Sequence, residues 1–297
     1  MQLIHQPRSS FFTRQRIGLL LLAGLLILRL PYLTVVAAWF NPPPVWLFFS
    51  FITSTYLLTA LLIYVERECL QAFWFDLSSA IIFLFQPFLF LGGIGLFAAM
   101  RRKRAKFPAP PPGLLHWALF GSLLGVLGEL LLVYLNLNPP QERFTQPATL
   151  GFVFSAVLAQ TTSAAVFEEP LFRGFLWGYL RLAKWKNVWI WLFQAGLFML
   201  GHVYYLRSEP FVPWIVRLMI PSLLLGLVAW GARSITASMV THGFINATSD
   251  LLTQQGTPEQ AIGVAWTAVA ILAAALVLAL VWEKLGPRRA ITRVVDE

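Results

Sequence analysis

The sequence predicts an all-α, polytopic membrane bundle of about eight transmembrane helices. Three observations carry that expectation. Of 297 residues, 58% are hydrophobic and only 12% charged, where soluble domains carry roughly 25% charged residues. The apolar residues form continuous runs of bilayer-spanning length, about 20 residues, rather than the alternating pattern of a membrane barrel. Proline-rich and basic loops separate the runs.

The first run, 17–39, follows Arg8, Arg14 and Arg16 and reads as an uncleaved first membrane segment, although Arg29 and Pro31 interrupt it. The second, 44–65, starts after Asn41-Pro42-Pro43-Pro44, and the third, 79–100, ends at Arg101-Arg102-Lys103-Arg104-Ala105-Lys106. The fourth, 114–135, lies between Pro108-Ala109-Pro110-Pro111-Pro112-Gly113 and Asn138-Pro139-Pro140. The remaining runs are 148–180, 187–206, 213–232, 235–252 and 262–282. This divides the chain into an N-terminal transmembrane region (1–147), a core (148–252), and a last transmembrane helix with a basic cytoplasmic tail (253–297).

Basic loops set the orientation, because Lys and Arg accumulate on the cytoplasmic side. The cluster 101–106, the loop 181–186, Arg233 and the tail with Lys284, Arg288, Arg289 and Arg293 all fall on that side when the runs are counted onward from residue 101. Three crossings before residue 101 would put the basic N-terminus outside, so one of the first three segments is expected to be re-entrant, interfacial or a broken hairpin. The expected location is a prokaryotic plasma membrane. The net charge of +9 is the basic excess of such loops. Nucleic acid is not an expected partner, since no soluble module presents the basic residues. A single cysteine, Cys69, excludes an intrachain disulfide and a four-cysteine metal site.

Three polar patterns interrupt the apolar runs of the core. They are Glu168-Glu169-Pro170-Leu171-Phe172-Arg173, Phe198-Met199-Leu200-Gly201-His202 and His242-Gly243-Phe244-Ile245-Asn246. Ionisable groups cost several kcal/mol inside a bilayer and tend to mark function there. Residues four apart share a helix face, so Arg173 is expected to pair with Glu169, acid before base. Glu168 points about 100° away and has no charged partner in its own turn, which suits general-base work. Pro170 lacks an N–H and predicts a kink beside Glu168. Gly174 and Gly178 share a face on which another helix could approach closely.

Glu168 lies 16 residues before Lys184, and His202 lies 15 residues after Asn187. At 1.5 Å per residue both sit roughly 23 Å from the ends of two antiparallel helices, at one level. His242 and Asn246 share a face of a third helix, so all four groups can converge. Other polar residues read blandly: Arg29, Glu129 and Arg217 as paired or reaching an interface, and Thr161, Thr162 and Ser163 as hydrogen-bonded between or within helices.

Several chemistries are absent. There is no His-Glu-x-x-His zinc motif, no Gly-x-Ser-Gly nucleophile turn paired with a later His, and no phosphate-binding loop. The only aspartates, Asp76, Asp250 and Asp296, do not form a pair of deep membrane acids.

Glu-Glu-x-x-x-Arg, Phe-x-x-x-His and His-x-x-x-Asn in that order resemble the CPBP family, the CAAX protease and bacteriocin-processing (Abi) endopeptidases, over residues 148–252. The resemblance implies a four-helix core around a membrane-embedded cavity. It implies that Glu168 and His202 activate water and that His242 and Asn246 stabilise the oxyanion. Glu169 and Arg173 fill the remaining motif positions as an ion pair. The expected activity is hydrolysis of a peptide bond in a membrane-associated protein or peptide, prenylated proteins being one precedent. The expected partners are lipid and that substrate, and no cofactor is expected. Two rivals stay open. One is a zinc hydrolase using Glu168, His202 and His242 as ligands. The other is a non-proteolytic scaffold or immunity protein whose polar cluster binds a partner. Proton-coupled transport is a weaker third.

Overall fold

The computed structural model describes residues 16–26, 45–84, 98, 107–138, 147–203, 206 and 210–285. The expectations for Arg29, for the cluster 101–106 and for the basic tail beyond Leu285 lie outside the described residues. Every regular element among them is helical: α1 (Arg16–Leu26), α2 (Val45–Val65), a 3₁₀ turn Leu70–Phe73, α3 (Leu77–Leu84), α4 (Leu114–Tyr134), α5 (Leu150–Leu182), α6 (Asn187–Leu200), α7 (Phe211–Ala232), α8 (Ile235–Gln254) and α9 (Pro258–Leu285). The fold is the expected all-α polytopic bundle, and the chain is an integral membrane protein.

Four of these, α4, α5, α7 and α9, are long and apolar enough to cross a membrane. Their outer faces carry the exposed Leu, Ile, Val and Trp side chains that suit lipid contact, among them Leu131, Leu158, Ile220 and Leu278. Helix α8 is different. Fourteen of its twenty residues are buried, and it packs against α4, α5, α7 and α9. Screened from lipid by protein, it tolerates Ser238, Thr241, His242 and Thr248 in its buried surface.

The helix ends are fixed locally. Thr149 accepts a hydrogen bond from the Phe152 N–H at the start of α5, and Ser234 accepts one from Thr236 N–H at the start of α8. Such caps satisfy N–H groups that have no intrahelical partner. Arg233, at φ 52°, turns the chain from α7 into α8 within two residues.

The basic loops share one end of the bundle. Ile235 N–H donates to the Trp74 carbonyl at 3.1 Å, and Arg181 donates to the Ala72 carbonyl. Asp76 accepts from Ser234, Thr236 and the Ser79 N–H. His116 meets Glu283 at 2.9 Å. Arg67, Arg181, Arg233 and Lys284 therefore cluster around one rim. The Leu77 N–H also donates to the Pro108 carbonyl at 2.9 Å, which joins the start of α3 to the segment that leads into α4. Most of the third apolar run lies outside the described residues.

One further expectation changes. Gly174 and Gly178 do make room for a close neighbour, but it is the turn carrying Phe73 and Phe75 rather than a helix. Glu129, expected to be paired or to reach an interface, is buried at 4% exposure. It accepts from Asn138 Nδ2 at 3.3 Å, and Arg217 and Asp250 are its charged neighbours.

Candidate active site

Helix α5 is not uniform. It widens into π turns at Thr161–Ala165 and Pro170–Leu176, with a short α segment, Val166–Glu169, between them. Pro170 removes the N–H that would have bonded the Val166 carbonyl, and the wide turn begins at that proline. Wide turns of this kind recur at functional sites. Both glutamates sit on the short segment between the two, and both are buried.

Close approach of α8 brings its histidine to them. A Cβ on Gly243 would collide with Thr161 Oγ1 and lie 2.9 Å from the Val157 carbonyl oxygen. Thr161 thus packs on Gly243, and its hydroxyl has no hydrogen-bond partner among the described residues. Thr162 and Ser163 behave as expected, donating to the Leu158 and Ala159 carbonyls at 2.8 and 2.6 Å.

Glu169 and Arg173 form the expected ion pair, Oε1 to NH1 at 3.1 Å, with both side chains fully buried. The carboxylate does more than neutralise the arginine. Its Oε1 also accepts from His242 Nδ1 at 2.8 Å, and its Oε2 accepts from the Ser238 hydroxyl. Arg173 in turn donates to the Ser222 carbonyl at 3.1 Å and hydroxyl at 2.7 Å. Gln194 Nε2 reaches the same carbonyl at 3.3 Å. One buried network therefore ties α5, α6, α7 and α8 together.

Glu168 faces the two histidines. Its Oε1 lies 3.6 Å from His202 Nε2 and its Oε2 lies 3.7 Å from His242 Nε2. The level expected from counting residues along two antiparallel helices is the level observed. His202 Nδ1 donates to the Phe198 carbonyl at 2.8 Å, because a carbonyl only accepts. In the neutral ring Nε2 then carries a lone pair toward Glu168. His242 Nδ1 is likewise engaged by Glu169, so its Nε2 also turns to Glu168. Phe198 does two jobs: its carbonyl sets the tautomer of His202, and its ring lies 4.7 Å under the Arg173 guanidinium carbon and 4.5 Å from the His202 ring. Trp214 Nε1 donates to the His202 carbonyl at 3.1 Å and holds the end of this segment against α7.

Asn246 stands one turn beyond His242. Its described hydrogen bond is not to the other three residues but to Gln160, Nδ2 to Oε1 at 3.3 Å. Ser222, Ser238 and Gln194 in the buried network, and Gln160 beside Asn246, are residues that sequence reading missed. Ser and Gln are common in helices, and no pattern in one sequence distinguishes those that face a buried charge.

Among the described residues, no group of three or more His, Cys, Asp or Glu side chains is spaced to hold a metal ion.

Residues 146–248 match the family model described as type II CAAX prenyl endopeptidase, Rce1-like. The match bears out the resemblance carried by the three motifs and spans all of them. The matched family is one of proteases, which are peptide hydrolases. No curated protein and no solved structure matches the chain.

Proposed function

We propose that this protein is a glutamate-dependent intramembrane endopeptidase that cleaves a membrane-associated protein or peptide, with its basic end in the cytoplasm. The observation that carries the reading is the position of Glu168 between two imidazole Nε2 atoms whose Nδ1 atoms are already engaged. A water to one side of the Glu168–His202 gap can donate one proton to the carboxylate and the other to the Nε2 lone pair. Its own lone pairs are then free to attack a peptide carbonyl. Glu168 takes the proton released on attack and passes it to the leaving amine, the two halves of general acid–base catalysis.

The oxyanion needs donors. Asn246 has two amide N–H groups, and the bond to Gln160 uses only one of them. His242 can donate to the oxyanion through Nε2 only when both ring nitrogens carry protons, because Nδ1–H already donates to Glu169. The family match supports the reaction class. The burial of both glutamates supports the exclusion of bulk water, which strengthens each of these interactions.

The test is a comparison of cells carrying the wild-type chain and Glu168→Gln, read as peptides whose ends change. Substrates should accumulate uncut in the variant. Identical peptide ends in both, with both proteins present in the membrane, would reject a glutamate protease.

A further inference from the structure

Asn246 belongs to a polar stripe that the proposed mechanism uses only in part. On α8, His242, Asn246, Asp250 and Gln254 follow one another at four-residue intervals, so they lie on one face of the helix. Asp250 accepts from Gln160 Nε2 at 3.0 Å through Oδ2, and from Gln254 Nε2 at 3.4 Å through Oδ1. Gln160 Oε1 accepts from Asn246 Nδ2 at 3.3 Å. Gln160 is the last residue of the first α-helical part of α5, just before the wide turn at Thr161.

The polarity of this chain has a single solution. An ionised carboxylate accepts and cannot donate, whereas a primary amide presents an acceptor at one corner and donors at the other. Asp250 therefore compels Gln160 to turn Nε2 toward it. That places Oε1 toward Asn246, and Asn246 must answer with Nδ2. Without the carboxylate, both amides could rotate by half a turn and exchange the donor for the acceptor at similar cost. We infer that Asp250, acting through Gln160, is a positioning residue that fixes the Asn246 side chain with its N–H corner in place for the reaction. The inference rests on the proposed role of Asn246 as an oxyanion donor.

The variants are Asp250→Asn, which keeps size but lets the chain run in either direction, and Gln160→Ala, which cuts it. Two measurements on the purified full-length protein separate the outcomes. The first is the side-chain amide signal of Asn246 in protein labelled with ¹⁵N at asparagine, identified by its loss in Asn246→Ala. Both variants should shift it, and an unmoved signal in both overturns the inference. The second is cleavage of a farnesylated reporter peptide with a CAAX ending. Each variant should lose about 10–100-fold in kcat, the usual cost of removing an orienting partner, with KM little changed. Combined with Asn246→Ala, neither should slow the reaction further. Losses that multiply would show that Asp250 and Gln160 act independently of Asn246 and would overturn it too. Full cleavage by Glu168→Gln would instead reject the protease mechanism, while the amide signal would still decide whether Asp250 orients Asn246.

Discussion

Nδ1 of His242 donates to the Glu169 carboxylate at 2.8 Å, and the same oxygen meets Arg173 at 3.1 Å. Adjacent glutamates thus carry unlike burdens: Glu169 anchors a buried cation and a ring, and Glu168 faces the Nε2 atoms of His202 and His242. Glu169→Gln should lower stability by about 3–5 kcal/mol, the cost of leaving a buried charge without its partner. Thermal unfolding of the purified variant checks this; a variant as stable as wild type would contradict the anchoring role.

Glu168→Gln should behave in the opposite way. Glutamine keeps the size and hydrogen-bonding capacity of the side chain that lies 3.6 and 3.7 Å from the two imidazoles, so the exchange should leave folding intact. Hydrolysis should disappear because the amide accepts no proton. Peptide cleavage and thermal stability measured on the same preparation give the result, and a folded, fully active variant defeats the mechanism. His202→Ala should resemble it, whereas Asn246→Ala should retain a residual rate lower by about two to three orders of magnitude, the loss typical of one oxyanion donor.

The approach of α8 to α5 depends on the missing side chain at Gly243. Gly243→Ala should cost about 1–3 kcal/mol, as overpacking does, and should slow cleavage by displacing His242 from Glu168. Thr161→Ala removes one of the two obstacles but not the Val157 carbonyl. The double variant should therefore recover only part of the stability, and complete recovery would place the whole conflict on the threonine.

Activity should persist in the presence of strong chelators, and elemental analysis of the active protein should show no stoichiometric zinc. Loss of activity that zinc alone restores would favour the reading in which Glu168, His202 and His242 bind a metal.

Sidedness gives a test that needs no substrate. With Cys69 replaced by serine, a single cysteine at Lys184 or Lys284 should resist an impermeant thiol reagent applied to intact cells. One at Gly256, in the turn between α8 and α9 at the opposite end, should react. The reverse pattern would invert the bundle.

The helices were legible because lipid imposes a length and a composition on them, and the site was legible because charge in such runs is rare. Glu168 and His202 could be brought to one level by counting rise per residue along two helices, with His242 and Asn246 on one face of a third. Other features needed the third dimension. The role of Glu169 toward His242 joins residues 73 apart in sequence, and nothing in either helix alone points to the other. The glycine pair of α5 announced close packing correctly but could not say that a turn, with Phe73, would fill the space.

The polar character of α8 also bears on how the protein is made. A segment holding His242, Asn246 and Asp250 gains little by partitioning into lipid alone, since charged and polar side chains near a helix centre oppose insertion. Its stable partner is already beside it: α7, joined through the tight turn at Arg233 and Ser234. The two are suited to enter the bilayer as one hairpin, the apolar α7 carrying its polar sister. The site's chemistry is then assembled only when α5 closes over the pair, so that during synthesis no helix has to hold both the base and its imidazoles by itself.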